Sequence, residues 1–204
     1  MKSKKIGLVL CVILFVYFIG GIIYSFSGAS KKNNKKNNEK SVMQIKGYDY
    51  ICLDNETKLY KEEFKKLKSN LESDNINYKE YAYSISKLFV IDLYTLNNKK
   101  NMYDVGGVNF VYPLARDNYK LNVENTLYKY MEDNSDGDRK QKLPEVSEVK
   151  IVSDEEIEYE IGEEKFDAYK INIDITYVKD LKYDKKAEII LVKEDKYLYV
   201  VEKN

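Results

Sequence analysis

The residues best suited to chemistry gather between positions 86 and 116. Asp92 interrupts the apolar run SKLFVIDLYTL (86–96). The loop MYDVGGVNFVYP (102–113) brings Asp104 and the pair Gly106-Gly107, with Arg116 just beyond. A carboxylate inside an apolar stripe has three uses. It can act as acid or base in catalysis, present a polar group in a ligand pocket, or clamp backbone amides or a guanidinium structurally. The chain has no histidine and two cysteines. That removes histidine triads, histidine metal sites and four-cysteine zinc sites, so no metal centre and no cofactor is expected. DVGG lacks both the GxGxxG spacing and the Lys-Ser/Thr ending of phosphate-binding loops. Cys52, within YICL, reads as a small buried apolar residue rather than a nucleophile. Among 34 acidic residues chance pairs are inevitable, and no spacing singles out two as a catalytic couple. The sequence points away from an enzyme.

Asp92 belongs to a predicted helix over 78–96. At 100° per residue, Tyr81, Ala82, Ile85, Leu88, Phe89, Leu93 and Leu96 share one stripe, and Asp92 falls near its middle. A buried ionised group must be paired or hydrogen-bonded, or else it takes a proton. The nearest donors are the amides of the Gly106-Gly107 turn, where the glycines suggest positive φ or close backbone approach. Arg116 offers a bidentate alternative. Upstream, GYDYICL (47–53) reads as a short strand. Asp54 and Asn55 offer N-caps for a helix over 56–73, with Tyr60, Phe64, Leu67 and Leu71 on its inner side. Val108, Phe110 and Tyr112 suggest a short strand. Pro113 then opens a third helix over 114–132 with Ala115, Tyr119, Val123, Leu127, Tyr130 and Met131 inward.

Beyond NSDGDRKQKLPE the apolar period changes from 3.6 to 2. Strands are predicted over 146–152, 157–161, 166–178, 186–192 and 197–201, the last two as a hairpin. Phe166 and Ala168 are out of phase with Tyr169, Ile171, Ile173, Ile175 and Tyr177, which suggests a bulge or bend near the start of that strand. One polar and one apolar face describes an antiparallel sheet covered on one side. Helices followed by a meander give an α+β fold.

Residues 6–26, IGLVLCVILFVYFIGGIIYSF, carry no charge and follow a basic stub, 1–5. As a helix they just span a bilayer. The rival is a cleaved signal peptide ending near Ser27-Gly28-Ala29, but the apolar run exceeds the usual signal core. Residues 27–45, with the tract KKNNKKNNEK, read as a flexible basic linker, and 46–204 as the folded domain. Eight lysines and one acid fall in residues 1–40, so residues 41–204 hold 26 bases and 33 acids, a formal charge of −7. Such a domain is repelled by phosphate backbones, so direct nucleic-acid binding is not expected. The lipid bilayer is the expected partner of 6–26, in a single-pass cell-membrane protein with its C-terminal domain extracellular.

An anchor, a tether, two or three helices and then a long-stranded curved meander resemble a nuclear-transport-factor-2-like domain held outside a membrane. The likeness is to assembly subunits of type IV secretion and of Gram-positive conjugation. It rests on the order of elements and on YAYSISKLFVIDLYTLNN, DVGGVNFVYP and DRKQKLPEV. It implies a non-enzymatic scaffold that self-associates or contacts other envelope proteins. Domains of this fold often carry a conical pocket between helices and sheet. The alternative is a membrane-tethered small-ligand-binding module with an aromatic pocket, in keeping with twenty tyrosines and seven phenylalanines. A ligand binder should show a discrete pocket ringed by tyrosines and reaching Asp92, and a scaffold an exposed apolar-aromatic patch on helix or sheet.

Overall fold

The computed structural model describes residues 41–204. The expected stub, membrane-spanning helix and residues 27–40 of the linker lie outside the described residues. Among those described, no helix is long and apolar enough to cross a membrane. The chain is α+β, with three α-helices and a curved four-stranded antiparallel sheet. The folded part begins earlier than position 46. Ser41–Gln44 forms β1, pairs antiparallel with β2 (Ile51–Leu53), and is followed by the fully buried Ile45.

Helix α1 spans Lys58–Leu71 and buries Tyr60, Phe64, Leu67 and Leu71, as its 3.6-residue spacing dictates. Its N-cap is Thr57, whose hydroxyl accepts from the Tyr60 amide at 3.2 Å, and not Asp54 or Asn55. Helix α2, Tyr78–Tyr94, is capped by Asn77, which accepts from the Glu80 amide at 3.1 Å. It packs against α1 and lies across every strand of the main sheet, so it is buried nearly all round. The third helix is shorter than its apolar spacing predicts. A 3₁₀ turn at Pro113–Ala115 leads into α3, Arg116–Asn125. The chain then tightens so that Tyr128, outside the predicted stripe, is fully buried while Tyr130 is 80 % exposed.

Four strands follow in meander order: β3 (Val146–Ile161), β4 (Glu164–Tyr177), β5 (Lys186–Glu194) and β6 (Tyr197–Lys203). The two strands predicted over 146–161 are one. Residues 108–112 form a 3₁₀ turn and a single parallel bridge, Val111 to Val200, rather than a strand. No bulge occurs near Phe166 or Ala168; the register breaks of this sheet lie in β3 and in the pairing of β5 with β6. Those two residues are out of phase because they serve the other face. Ala168, Ile190 and Val192 are buried there against Ile157, Phe166 and Tyr199. Tyr159 of β3 donates across this face to Glu202 of β6 at 2.9 Å, although the two strands are opposite edges of the sheet. The meander thus covers part of its own outer face, where a one-sided sheet was expected.

Candidate functional site

Asp92 lies two residues before the end of α2, where the chain must leave the helix and re-enter as the 104–109 loop. Its carboxylate is engaged at both oxygens. Oδ2 accepts from the Gly107 amide at 2.7 Å, and Oδ1 forms an ion pair with the Lys99 ammonium. The amide partner is the one the sequence predicts. The cation is not: Arg116 points elsewhere, donating to the carbonyls of Val111 (3.0 Å) and Asn109 (3.3 Å). Lys99 is the nearer cation, on a flexible stem that folds back from the turn after α2.

The two glycines are required for different reasons. A Cβ on Gly106 would sit 2.1 Å from the Asp92 carbonyl oxygen, so only glycine lets the loop approach the helix end. Gly107 has φ +79°, and a Cβ there would also strike the Phe89 ring at 2.8 Å. Every polar group of this approach is satisfied, as burial demands. Tyr119 donates to the Gly106 carbonyl at 2.8 Å. The Gly106 amide reaches the Tyr128 hydroxyl at 3.3 Å, and that hydroxyl donates to the Leu93 carbonyl, freed by the end of α2, at 2.8 Å. Burial raises the pKa of both tyrosines and keeps them neutral donors.

Beside this clamp lies a cavity of about 290 Å³ between β2, the start of α1, the end of α2 and the glycine loop. Asp92, Asp104, Lys99, Glu56 and Tyr60 line it, with apolar wall from Ile51, Leu53, Val105 and Val108. It is not between helices and sheet, where the resemblance implies a pocket, and Tyr60 is the one aromatic residue in its lining, where a ring of tyrosines was expected. A separate cavity of about 230 Å³ does lie between Phe89 of α2, Tyr119 of α3 and Val200 of β6, while Tyr81, Ile171 and Ile189 are fully buried in the core. Asp104 uses Oδ2 to accept from the Lys100 amide at 2.9 Å. Glu56 accepts a long contact, 3.4 Å, from Asn98 Nδ2. Burial first, then the charges of Asp92 and Asp104, push its pKa up to about 7 against the opposing pull of Lys99. Burial disfavours the charge on Lys99, but Asp92 and Glu56 outweigh it and hold the ammonium above the ordinary lysine range.

Tyr60 is 4 % exposed, and among the described residues its hydroxyl has no hydrogen-bond partner. Burial, then Asp92 and Glu56, raise its pKa, so it remains a neutral phenol facing the cavity. A larger groove of about 430 Å³ lies over the sheet beside Ser153, Asn172, Glu188 and Asn204. Its polar groups already serve one another: Asn172 bonds Ser153 at 3.0 Å, and Glu188 pairs with Lys170 at 2.9 Å. Of the two, the Asp92 cavity is therefore the better candidate. Cys52 is fully buried, its thiol near the Leu53 carbonyl and pushed up to about 11 by burial and by Glu56, which suits packing and not nucleophilic attack.

Sequence reasoning finds Asp92, Asp104, Gly106 and Gly107, and the structure brings all four together. It misses Lys99, Glu56, Tyr60, Tyr119 and Tyr128. Only Lys99 left a local signal, seven positions beyond Asp92. Among the described residues no cluster of histidine, cysteine and carboxylate side chains could hold a metal ion. No family model, curated protein or solved structure matches the chain.

Proposed function

We propose that this chain is a membrane-tethered, non-enzymatic module that binds a small polar molecule in the cavity beside Asp92. The observation that carries this is Tyr60, a nearly fully buried phenol that lines a polar cavity with nothing to bond among the described residues. Residues 6–26 supply the bilayer anchor, with the folded part outside the cell. Three helices ahead of a curved antiparallel meander support a nuclear-transport-factor-2-like assignment. The cavity's position away from the helix–sheet interface departs from that pattern.

A thermal-denaturation screen of small polar compounds against the full chain in lipid nanodiscs tests the binding role. A ligand at one hundred times its dissociation constant stabilises by about 2.7 kcal/mol. At least one compound should stabilise the native chain and fail to stabilise Val105→Trp, which fills the cavity. If none separates the two proteins, the binding role is wrong.

One observation favours the envelope-scaffold role, in secretion or conjugative transfer. Leu114, in the 3₁₀ turn before α3, and Leu121, in the middle of α3, are 87 % and 59 % exposed. Crosslinking in intact cells that captures the same protein at both positions, and loses it in Leu114→Ser/Leu121→Ser, would favour an assembly subunit.

A further inference from the structure

On the proposal that the Asp92 cavity holds a ligand, its charge and its unused acceptors specify the occupant. Glu56, Asp92 and Asp104 face one ammonium, Lys99, which leaves a formal charge of −2. Each oxygen of Asp92 already has a partner, Gly107 on one and Lys99 on the other, and Lys99 is neutralised in return. What remains comes from three segments: the Glu56 carboxyl with its one long contact, the second oxygen of Asp104, and the Tyr60 hydroxyl. These are three acceptors around one negative space. A primary ammonium has three N–H donors and no acceptor. Ile51, Leu53, Val105 and Val108 provide the apolar wall along which a short alkyl chain would lose its contact with water. An anion would meet net repulsion, and a neutral alcohol would satisfy one acceptor of the three.

We infer that this cavity binds a small primary alkylammonium ion, its head group bonded by Glu56, Asp104 and Tyr60. Ionisation of Glu56 controls the affinity. The titratable and charged groups around it are Cys52 on β2, Tyr60 on α1, Asp92 at the end of α2, Lys99 after it, and Asp104 in the loop. Glu56 changes charge near neutrality, so binding strengthens as pH rises through about 7.

The chain has nine glycines, and ¹⁵N-glycine labelling of the full chain in nanodiscs makes the Gly106 and Gly107 amides direct reporters. The probes are n-butylammonium, 1-butanol and butyrate. At pH 8 butylammonium should shift both signals saturably, at concentrations at least tenfold below those butanol needs, while butyrate leaves them unmoved. Affinity should fall at least tenfold at pH 5.5. Glu56→Gln should lower it by a similar factor and remove its pH dependence; the native chain at pH 5.5 makes the same test if that variant does not fold. Butanol or butyrate binding as well as butylammonium overturns the ammonium inference and leaves a ligand pocket standing. Silence from all three probes also overturns it, and the pocket itself falls only if the nanodisc thermal screen fails as well.

Discussion

Replacing Asp92 with alanine removes two contacts and strands a charge. The Gly107 amide loses an acceptor at 2.7 Å, and Lys99, 6 % exposed, loses its counterion. A hydrogen bond to a charged group contributes on the order of 1.5–3 kcal/mol. Breaking a buried ion pair from one side costs on the order of 3–5 kcal/mol, because the survivor stays buried and charged. The two figures overlap, since one carboxylate supplies both, and Glu56 still acts on Lys99 across the cavity. The expected net loss is about 3 kcal/mol at pH 8. Asp92→Leu should cost at least as much, because it strands Lys99 in the same way. Asp92→Leu combined with Lys99→Met should recover most of the loss, since apolar replacement of a whole buried pair is often neutral. Urea denaturation of the full chain in micelles, followed by near-ultraviolet circular dichroism, gives all four stabilities, and a constant slope shows that the variants share one transition. An Asp92→Ala loss under about 1 kcal/mol, or a double variant no more stable than Asp92→Leu, would refute the view that this ion pair is a mutually dependent unit.

Three further outcomes follow from the same site. Glu56 has a folded-state pKa of about 7 against an ordinary 4.5, so its contribution to stability is complete below pH 4.5 and lost as pH rises through 7. The swing is on the order of 3 kcal/mol; melting curves at pH 5 and 8 should differ more for the native chain than for Glu56→Gln, and equal differences would remove Glu56 from the account. Gly106→Ala should lower stability by about 3 kcal/mol through its clash with the Asp92 carbonyl. Gly107→Ala should cost about 1–2 kcal/mol for its left-handed backbone alone, and a neutral Gly106→Ala in urea denaturation would show the loop free to move away. Tyr128→Phe should cost about 1–3 kcal/mol by orphaning the Leu93 carbonyl and the Gly106 amide, while Tyr130→Phe, at an exposed position, should leave the midpoint unchanged.

The helices and strands are largely legible because their signals are local. Tyr60, Phe64, Leu67 and Leu71 recur at the helical period, and Ile171, Ile173 and Ile175 at the strand period, so each buried face is written in consecutive residues. The third helix is overextended in the sequence because Leu127 and Met131 continue the stripe, yet the chain unwinds to bring the Tyr128 hydroxyl to Leu93. The second face of the sheet is hidden for a similar reason. Phe166 and Ala168 look like a register error until Tyr159 is seen to reach Glu202 across the meander.

By itself the sequence determined that Asp92 lies within an apolar stripe and that a buried carboxylate there must find donors, with two adjacent glycines the nearest backbone able to come close. Only the tertiary structure decided that Lys99 and not Arg116 neutralises it, and that Glu56 and Tyr60 arrive on the same cavity. Periodicity is a property of neighbouring residues, and the chain carries it along its length. The charge and free valence of a cavity come from distant segments meeting, and no single segment encodes them.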